Sequence, residues 1–180
     1  MKIWISYFYQ VRRFPTNLIP FSTAQYDPKW FHKFEGQNKV FIDERGVING
    51  LRLPELCFPK DAYEYLIEKD SACSKDCPRK SKVEYQLKQN QIKNDWTTFG
   101  CEFMDRYFEH LWNNVDFDKL ISFLEKVKLK YQELNKTDED IEFVLLVHEP
   151  PSNPCSERWV LKRWFEEFDY NLEEWFPYEE

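Results

Sequence analysis

The chain has 180 residues, a length typical of one domain, with 42% hydrophobic and 32% charged residues. This composition argues against wholesale disorder, and the presence of only 4 glycines argues against a glycine-rich phosphate loop. No apolar run approaches the ~20 residues needed to cross a bilayer, and the amino terminus lacks the pattern of a secretory signal peptide. We therefore expect a soluble, cytoplasmic protein.

Charge is distributed unevenly along the chain. The formal net charge is -7, and residues 166–180 contain acidic residues but no basic ones. The remaining sequence is balanced and shows no basic stripe, so nucleic acid is an unlikely partner. The acidic tail also carries Trp175, Phe176 and Tyr178. Three interpretations of residues 166–180 are open: a solvated end, a segment packed on the protein's own sheet, or a docking segment for a protein partner.

The amino-terminal part predicts strands separated by turns. Residues 3–9 and 18–24 are rich in β-branched and aromatic residues, and each predicts a strand. The segment 12–15 predicts the turn between them. Residues 27–31 predict a loop because Pro28 interrupts strand pairing, and residues 39–43 predict a further short strand.

Residues 51–100 show the weakest pattern. Prolines punctuate a polar stretch in which only residues 61–69 favour a short helix. We interpret this stretch as a cysteine-containing insertion within the domain, and its locally basic residues 79–82 as a solvated surface.

The carboxyl-terminal part has clearer periodicity. Apolar residues at helical spacing predict a helix around residues 104–111 and a second, capped by Asp116, with its apolar stripe over 117–134. Residues 143–147 form a continuous apolar run, which is typical of a strand buried on both faces, and residues 160–168 predict a third helix. Together these elements predict an α/β fold. We expect a single compact layered domain over residues 1–180, with a central, largely parallel or mixed sheet flanked by helices.

The loop after the buried strand holds the residues best suited to chemistry. Ligands of open α/β sheets bind beyond the carboxyl ends of strands, where helix N-termini present free N–H groups. Pro154 suits a first helical turn, which would place Cys155 and Arg158 at the N-terminus of the third helix. A thiolate beside a guanidinium could act as a nucleophile, with Glu149 or His148 as acid or base and Arg158 binding an anion.

Alternatives to this site remain open. Free cysteines are frequently buried for structural reasons, and Arg158 could instead pair with Glu149 or Glu157. His148 could be an ordinary loop residue. The tyrosine-phosphatase loop, a Cys with an Arg six residues later, is not met because residue 161 is Leu.

Three segments resemble the family catalogued as domain of unknown function 488: KIWISYFYQVRRFPTNLIPFSTAQYDPKWF, NGLRLPEL and LLVHEPPSNPCSERWVLKRWF. That resemblance implies a compact α/β domain without implying a reaction. The family's Cys-His-Arg is replaced here by Cys-Ser-Glu-Arg, so chemistry that requires the His is in doubt. By the same resemblance the ligand pocket would also include Ser6, Tyr7, Ser22, Trp30 and Arg52.

The other cysteines leave two interpretations open. Cys73 and Cys77 are separated by three residues, a spacing found in structural zinc sites, and Cys57 and Cys101 could complete four thiolates. The same residues could equally be free thiols in a reducing compartment.

The sequence therefore supports two function classes. The first is a binder of, or an enzyme acting on, a small anionic ligand, nucleotide-like or phosphate-bearing, at the pocket around Cys155 and Arg158. The second is an interaction module that uses the acidic aromatic tail.

Overall fold

A computed structural model of the protein describes residues 1–31, 51–62, 102–153 and 156–176. The chain forms two compact units. The first unit comprises Met1–Cys57, Val115–His148 and Leu172–Glu180, and the second comprises Phe58–Asn114 and Glu149–Asn171.

The first unit contains all five strands that the structure describes. Its strands are β1 (Ile3–Tyr7), β2 (Leu18–Ser22), β3 (Leu51–Arg52), β4 (Glu142–Val147) and β5 (Glu173–Glu174). They lie in the order β3-β2-β4-β1-β5, and every pair is parallel. The predicted α/β class is confirmed, and the sheet is parallel in every described pair.

Strand β4 is the central strand, as its continuous apolar sequence predicts. Ile3 of β1 and Ile19 of β2 both align with Phe143. Every residue of β4 from Phe143 to Val147 is fully buried. Because β4 lies between two strands and both faces of the sheet are buried at this point, a polar side chain would lose its contact with water. This explains the unbroken run of apolar residues.

The first two strands are shorter than predicted. Strand β1 ends at Tyr7, and a 3-10 helix, Phe8–Arg13, replaces the predicted strand end and turn. Phe8 and Val11 are three residues apart and both buried, which is the spacing that stacks side chains on one face of a 3-10 helix. The apolar residues after Tyr7 thus pack through a different backbone geometry.

The two faces of the sheet are covered by different parts of the first unit. Phe21 and Phe143 point to one face, where Phe21 contacts Phe123 of helix α2 (Phe117–Asn135) at 6.2 Å between ring centroids. The opposite face supports a second cluster made of apolar side chains from the strands, the 3-10 helix, the 23–31 loop and the carboxyl-terminal segment: Phe8, Val11, Phe14, Leu18, Ala24, Phe31, Val144, Leu146 and Trp175.

Helix α2 begins as predicted but buries less of its stripe. The Asp116 carboxylate accepts a hydrogen bond from the Lys119 N–H at 3.1 Å, which lowers the pKa of Asp116. The helix ends where Lys136 adopts a left-handed conformation with φ of 50°. Leu120, Leu124 and Tyr131 are buried, whereas Leu134 is 43% exposed, so the predicted stripe ends before the last turn.

The second unit contains two helices, α1 (Glu102–Asn114) and α3 (Arg158–Glu166), which pack together. The buried residues are Phe103, Met104, Tyr107, Leu111, Trp159, Val160, Leu161, Trp164 and Phe165. The prediction that Phe168 also lies on the inner face of the third helix is wrong, because the helix ends at Glu166 and Phe168 is 38% exposed. The predicted start of the third helix at Pro154 is wrong, because α3 begins at Arg158 and Glu157 occupies its N-cap position.

Part of the acidic tail belongs to the sheet. Glu173 and Glu174 form β5 beside β1, and Trp175 packs edge-on against Phe14 at 4.7 Å between ring centroids. The interpretation as a wholly solvated end is therefore wrong for residues 173–175. Because Glu173 and Glu174 pair with β1 and Trp175 is buried, truncation of the chain after Phe168 would remove an edge strand and a core aromatic side chain.

Several predictions fall on residues outside the described ranges. They include the strand at 39–43, the helix at 61–69 except its first two residues, and the basic stretch at 79–82. Residues 51 and 52, at the start of the predicted insertion, form β3 and thus belong to the sheet. Within the described ranges, no helix combines the length and apolarity needed to span a membrane.

Candidate functional site

Polar side chains from three strands lie in one row at the carboxyl edge of the sheet. Arg52 aligns with Ser22, Ser22 with Leu146, and Leu146 with Ser6, so all four occupy one row across β3, β2, β4 and β1. Residues aligned across a sheet point to the same face. We call Ser6, Ser22, Arg52 and their neighbours Asp27 and Cys57 the carboxyl-edge cluster.

Asp27 links two members of this cluster. The Ser22 hydroxyl donates to Asp27 Oδ1 and accepts a hydrogen bond from the Ala24 N–H at 3.2 Å. Arg52 Nη1 donates to Asp27 Oδ2 at 3.0 Å. The Asp27 side chain is 4% exposed and that of Arg52 is 35% exposed, so the carboxylate lies inside and part of the guanidinium side chain faces solvent.

Arg52 also holds the loop that follows β2. Its Nη2 donates to the Ala24 carbonyl at 3.0 Å and lies 3.8 Å from Cys57 Sγ. The buried Cys57 thiol donates to the same carbonyl at 3.2 Å. Cys57 thus packs under this loop. The three other predicted zinc ligands, Cys73, Cys77 and Cys101, lie outside the described residues, so the zinc site stays a prediction.

Ser6 differs from Ser22 in its surroundings. Ser6 is fully buried, and its hydroxyl has no hydrogen-bond partner among the residues that the structure describes. A buried hydroxyl without a partner costs free energy, so its presence at a strand end needs a reason. An incoming ligand atom at this edge would provide a partner.

Tyr7 and Trp30 occupy other positions. Tyr7 points to the face opposite Ser6, and its hydroxyl accepts a hydrogen bond from Gln10 Nε2 at 3.0 Å. Trp30 packs edge-on against Phe8 and Phe31, at 6.4 and 6.0 Å between ring centroids. Of the five residues implied by the family resemblance, the structure therefore places Ser6, Ser22 and Arg52 in one row, whereas Tyr7 bonds to Gln10 and Trp30 packs in an aromatic cluster.

His148 follows β4 and lies near the loop after β2. Its Nε2 forms a hydrogen bond with the Tyr26 carbonyl, and its ring packs against Phe8 at 4.8 Å between ring centroids. Beside it, the Thr23 hydroxyl donates to the Leu146 carbonyl at 2.9 Å. These contacts join the ends of β2 and β4, and the exposed His148 side chain fixes the 23–31 loop at this edge.

In the second unit, Arg158 is buried and bonded to its own surroundings. It is 0% exposed, its Nε donates to the Ser156 hydroxyl at 3.1 Å, and its Nη2 donates to the Glu149 backbone carbonyl. The Ser156 hydroxyl lies 3.4 Å from the Glu149 carboxylate. Arg158 therefore ties the loop after β4 to the start of α3. This geometry favours a structural role for Arg158 over the predicted exposed anion anchor.

Glu157 is a buried acid that the sequence analysis considered only as an ion-pair partner. It is 6% exposed, and one of its carboxyl oxygens has no hydrogen-bond partner within the described ranges. Burial, and secondly the nearby Glu149 carboxylate, raise the pKa of Glu157 well above its usual value of 4.5. Helical spacing to the buried Leu161 and Trp164 is the signal that places Glu157 on the inner face.

Replacing Glu157 with Gln is expected to remove a pH-dependent loss of stability. A group whose folded-state pKa is raised contributes full stability below its unfolded pKa, and that contribution is lost as pH rises through the folded pKa. Wild type should therefore lose stability from about pH 4.5 upward, whereas Glu157→Gln should lose less. Urea denaturation from pH 4 to pH 8 measures the difference, and Glu167→Gln, at the C-cap of the same helix, is the control. Parallel pH profiles for wild type and Glu157→Gln would contradict a raised pKa.

The candidate nucleophile, Cys155, lies outside the described residues. Comparison of the chain with protein-family models, curated proteins and solved structures finds no match. The resemblance to the domain of unknown function 488 family accordingly stays a prediction. Within the described parts of the chain, no three His, Cys, Asp or Glu side chains form a group able to hold a metal ion.

Proposed function

We propose that the protein binds a small anionic ligand, phosphate-bearing or nucleotide-like, at the carboxyl-edge cluster. The observation that carries the proposal is the row formed by Arg52, Ser22 and Ser6 at the ends of parallel strands. It combines a cation with the Ser6 hydroxyl, and both can donate to phosphate or carboxylate oxygens, whereas the Ser22 hydroxyl donates its proton to Asp27 and thereby positions the carboxylate that holds Arg52. The buried Ser6 hydroxyl has donor capacity that its described neighbours do not use.

The strand order supports this location. After β2 the chain continues to β3 on one side of the sheet, and after β4 it continues to β5 on the other side. Connections that diverge from neighbouring strands leave a crevice at their carboxyl ends, which is the usual ligand site of open α/β sheets. The two diverging connections start from the neighbouring strands β2 and β4, so the expected ligand site lies beside Ser22 at the end of β2.

The charges in the cluster define what it accepts. Asp27 balances part of the Arg52 charge and keeps the guanidinium in place at 3.0 Å. An anion would bind the solvent-facing part of Arg52 and share the cation with Asp27, which favours ligands that bring further hydrogen-bonding groups. A nucleotide or sugar phosphate has such groups, because its hydroxyls and base can reach the serines and backbone amides.

Whether the ligand is transformed is a separate proposal. In the catalytic form of the hypothesis, Cys155 is the nucleophile and Glu149 or His148 is the acid or base. The contact of His148 Nε2 with the Tyr26 carbonyl assigns one of its ring nitrogens to loop positioning. Ligand binding at the carboxyl edge requires none of these three residues, so the two proposals are tested apart.

Replacing Arg52 with Gln is expected to abolish ligand binding while the protein remains folded. The substitution removes the cation of the cluster, and the Gln amide can still donate to Asp27 or to the Ala24 carbonyl. Because Asp27 is buried, the loss of the ion pair also lowers stability, so each ligand-induced shift is measured against the Tm of the same variant without ligand. The measurement is thermal unfolding of wild type with inorganic phosphate, nucleoside monophosphates and sugar phosphates. A ligand present at about 100 times its Kd stabilises by about 2.7 kcal/mol, which raises Tm by several degrees.

The matched control is Arg12→Gln, which removes an exposed cation of the 3-10 helix and should retain the full ligand-induced shift. Equal shifts in Arg52→Gln and wild type would exclude Arg52 as the anchor. Absence of a shift with every anion in wild type would exclude the proposal and favour the interaction module.

A further inference from the structure

A second candidate site lies at the opposite edge of the sheet. A cavity of about 480 Å³ opens where β1, β2 and β4 begin, and its lining includes Trp4, Leu18 and Glu142. Its volume is within the range of small-molecule sites. It lies on the same sheet face as the carboxyl-edge cluster but at the amino ends of the strands, so the two sites use different residues.

The cavity lining combines aromatic rings with a carboxylate. The rings are Trp4, Trp175 and Phe176, and the carboxylate is that of Glu142, whereas Glu174 aligns with Ile5 and so directs its side chain to the other face of the sheet. No Lys or Arg is among the residues that line it. Aromatic faces carry negative electrostatic potential, and the carboxylate adds full negative charge, so this lining is complementary to a cation and repels an anion.

The Trp4 ring already takes part in a cation–π contact within the chain. Lys2 places its ammonium nitrogen 4.2 Å from the centre of the Trp4 ring, so an ammonium group already packs on this indole. The indole N–H donates to Glu142 Oε2 at 2.6 Å, which fixes the ring beside a carboxylate. Lys2 is itself held by an ion pair with Glu173 at 2.7 Å.

The other two rings of the cavity differ in exposure: Trp175 is buried and Phe176 is exposed. Trp175 is 8% exposed, packs edge-on against Phe14, and donates its backbone N–H to the Ile5 carbonyl at 2.8 Å. Phe176, which follows it, is 61% exposed. A large aromatic side chain that remains in water beside a cavity with a buried Trp wall is available to close over a bound group.

We propose that this cavity binds a small organic ammonium compound whose cationic nitrogen carries methyl groups. Aromatic walls recognise methylated ammonium groups better than a compact, strongly hydrated cation, because the methyl groups contact the rings while the charge attracts the carboxylate. The proposal is independent of anion binding at the carboxyl edge, since neither the ligand class nor any lining residue is shared.

The experiment compares choline with 3,3-dimethylbutan-1-ol, an uncharged molecule of the same shape, by calorimetric titration of the full chain. Choline should bind and the alcohol should not, and added salt should weaken the binding of choline. The indole N–H signals of Trp4 and Trp175, assigned by replacing each Trp with Phe, should shift in NMR spectra with choline alone. Equal binding of the two compounds would overturn the proposal, as would no binding at about 10 mM choline, where a 1 mM site would be mostly occupied.

Two variants locate the site. Phe176→Leu keeps an apolar side chain but removes the ring, and should weaken choline binding about two- to five-fold, as expected for one partly exposed cation–π contact. Glu142→Gln keeps the hydrogen-bond acceptor for Trp4 but removes the charge, and should also weaken binding. Phe123→Leu, on the surface of α2, is the control and should bind choline like wild type. Unchanged affinity in both Phe176→Leu and Glu142→Gln would overturn the assignment of the cavity.

Discussion

Replacing Arg158 with Ala is expected to lower the free energy of unfolding by about 3 kcal/mol or more. The guanidinium is 0% exposed and bonds to the Ser156 hydroxyl and the Glu149 carbonyl. Its removal leaves a cavity and deprives these buried acceptors of their donor, and each effect costs free energy. Urea denaturation followed by circular dichroism measures the change.

Arg163→Ala is the matched control for this experiment. Arg163 lies on the same helix, is 24% exposed, and pairs with Glu167 across one helical turn at 2.6 Å. Pairs of this kind contribute about 0.5 kcal/mol, so the control should remain close to wild type. Similar stabilities for Arg158→Ala and Arg163→Ala would show that the buried guanidinium is not structural, and would restore Arg158 as a ligand anchor.

Replacing Phe143 with Ala is expected to destabilise the sheet by about 3–5 kcal/mol. Phe143 is fully buried in the central strand and contacts Phe21 at 5.9 Å between ring centroids. Its truncation leaves a cavity that neighbours on both adjacent strands cannot fill without disturbing the register. Urea denaturation again measures the loss.

Phe123→Ala provides a control of the same residue type. Phe123 contacts the same Phe21 ring, at 6.2 Å, but from helix α2 and with 43% of its surface exposed. Because less apolar area leaves water at this site, its truncation should cost about 1 kcal/mol. Equal losses for the two variants would contradict the central position of β4.

Local pattern predicted the elements that pack in the most regular way. The run at 143–147 and the helical spacing before Leu111 were sufficient to identify β4 and α1, and the Asp116 cap was correctly placed. The sequence predictions were wrong where one local pattern is compatible with two different structures. The apolar residues after Tyr7 satisfy a 3-10 helix as well as a strand, and Pro154 suits a helical turn although α3 begins at Arg158.

The candidate site was only partly predictable. Ser6, Ser22 and Arg52 were named from the family resemblance, and the structure brings them into one row. Asp27, which joins Ser22 to Arg52, was missed because nothing in its local sequence distinguishes it from any loop Asp. Arg158 was expected to face a ligand, but it is buried and bonds to the Ser156 hydroxyl and the Glu149 carbonyl, a contact nine residues back that no local pattern indicates.

The sequence by itself determined the α/β class and the buried faces of the main elements, because apolar periodicity and capping act over a few neighbouring residues. Tertiary structure alone decided the strand order, the parallel addition of β5, and the burial of Arg158. It also created the cavity at the amino ends of the strands, where residues from the first and last parts of the chain lie side by side. Contacts between residues more than a hundred positions apart are set by packing of the whole sheet, and no short sequence pattern encodes them.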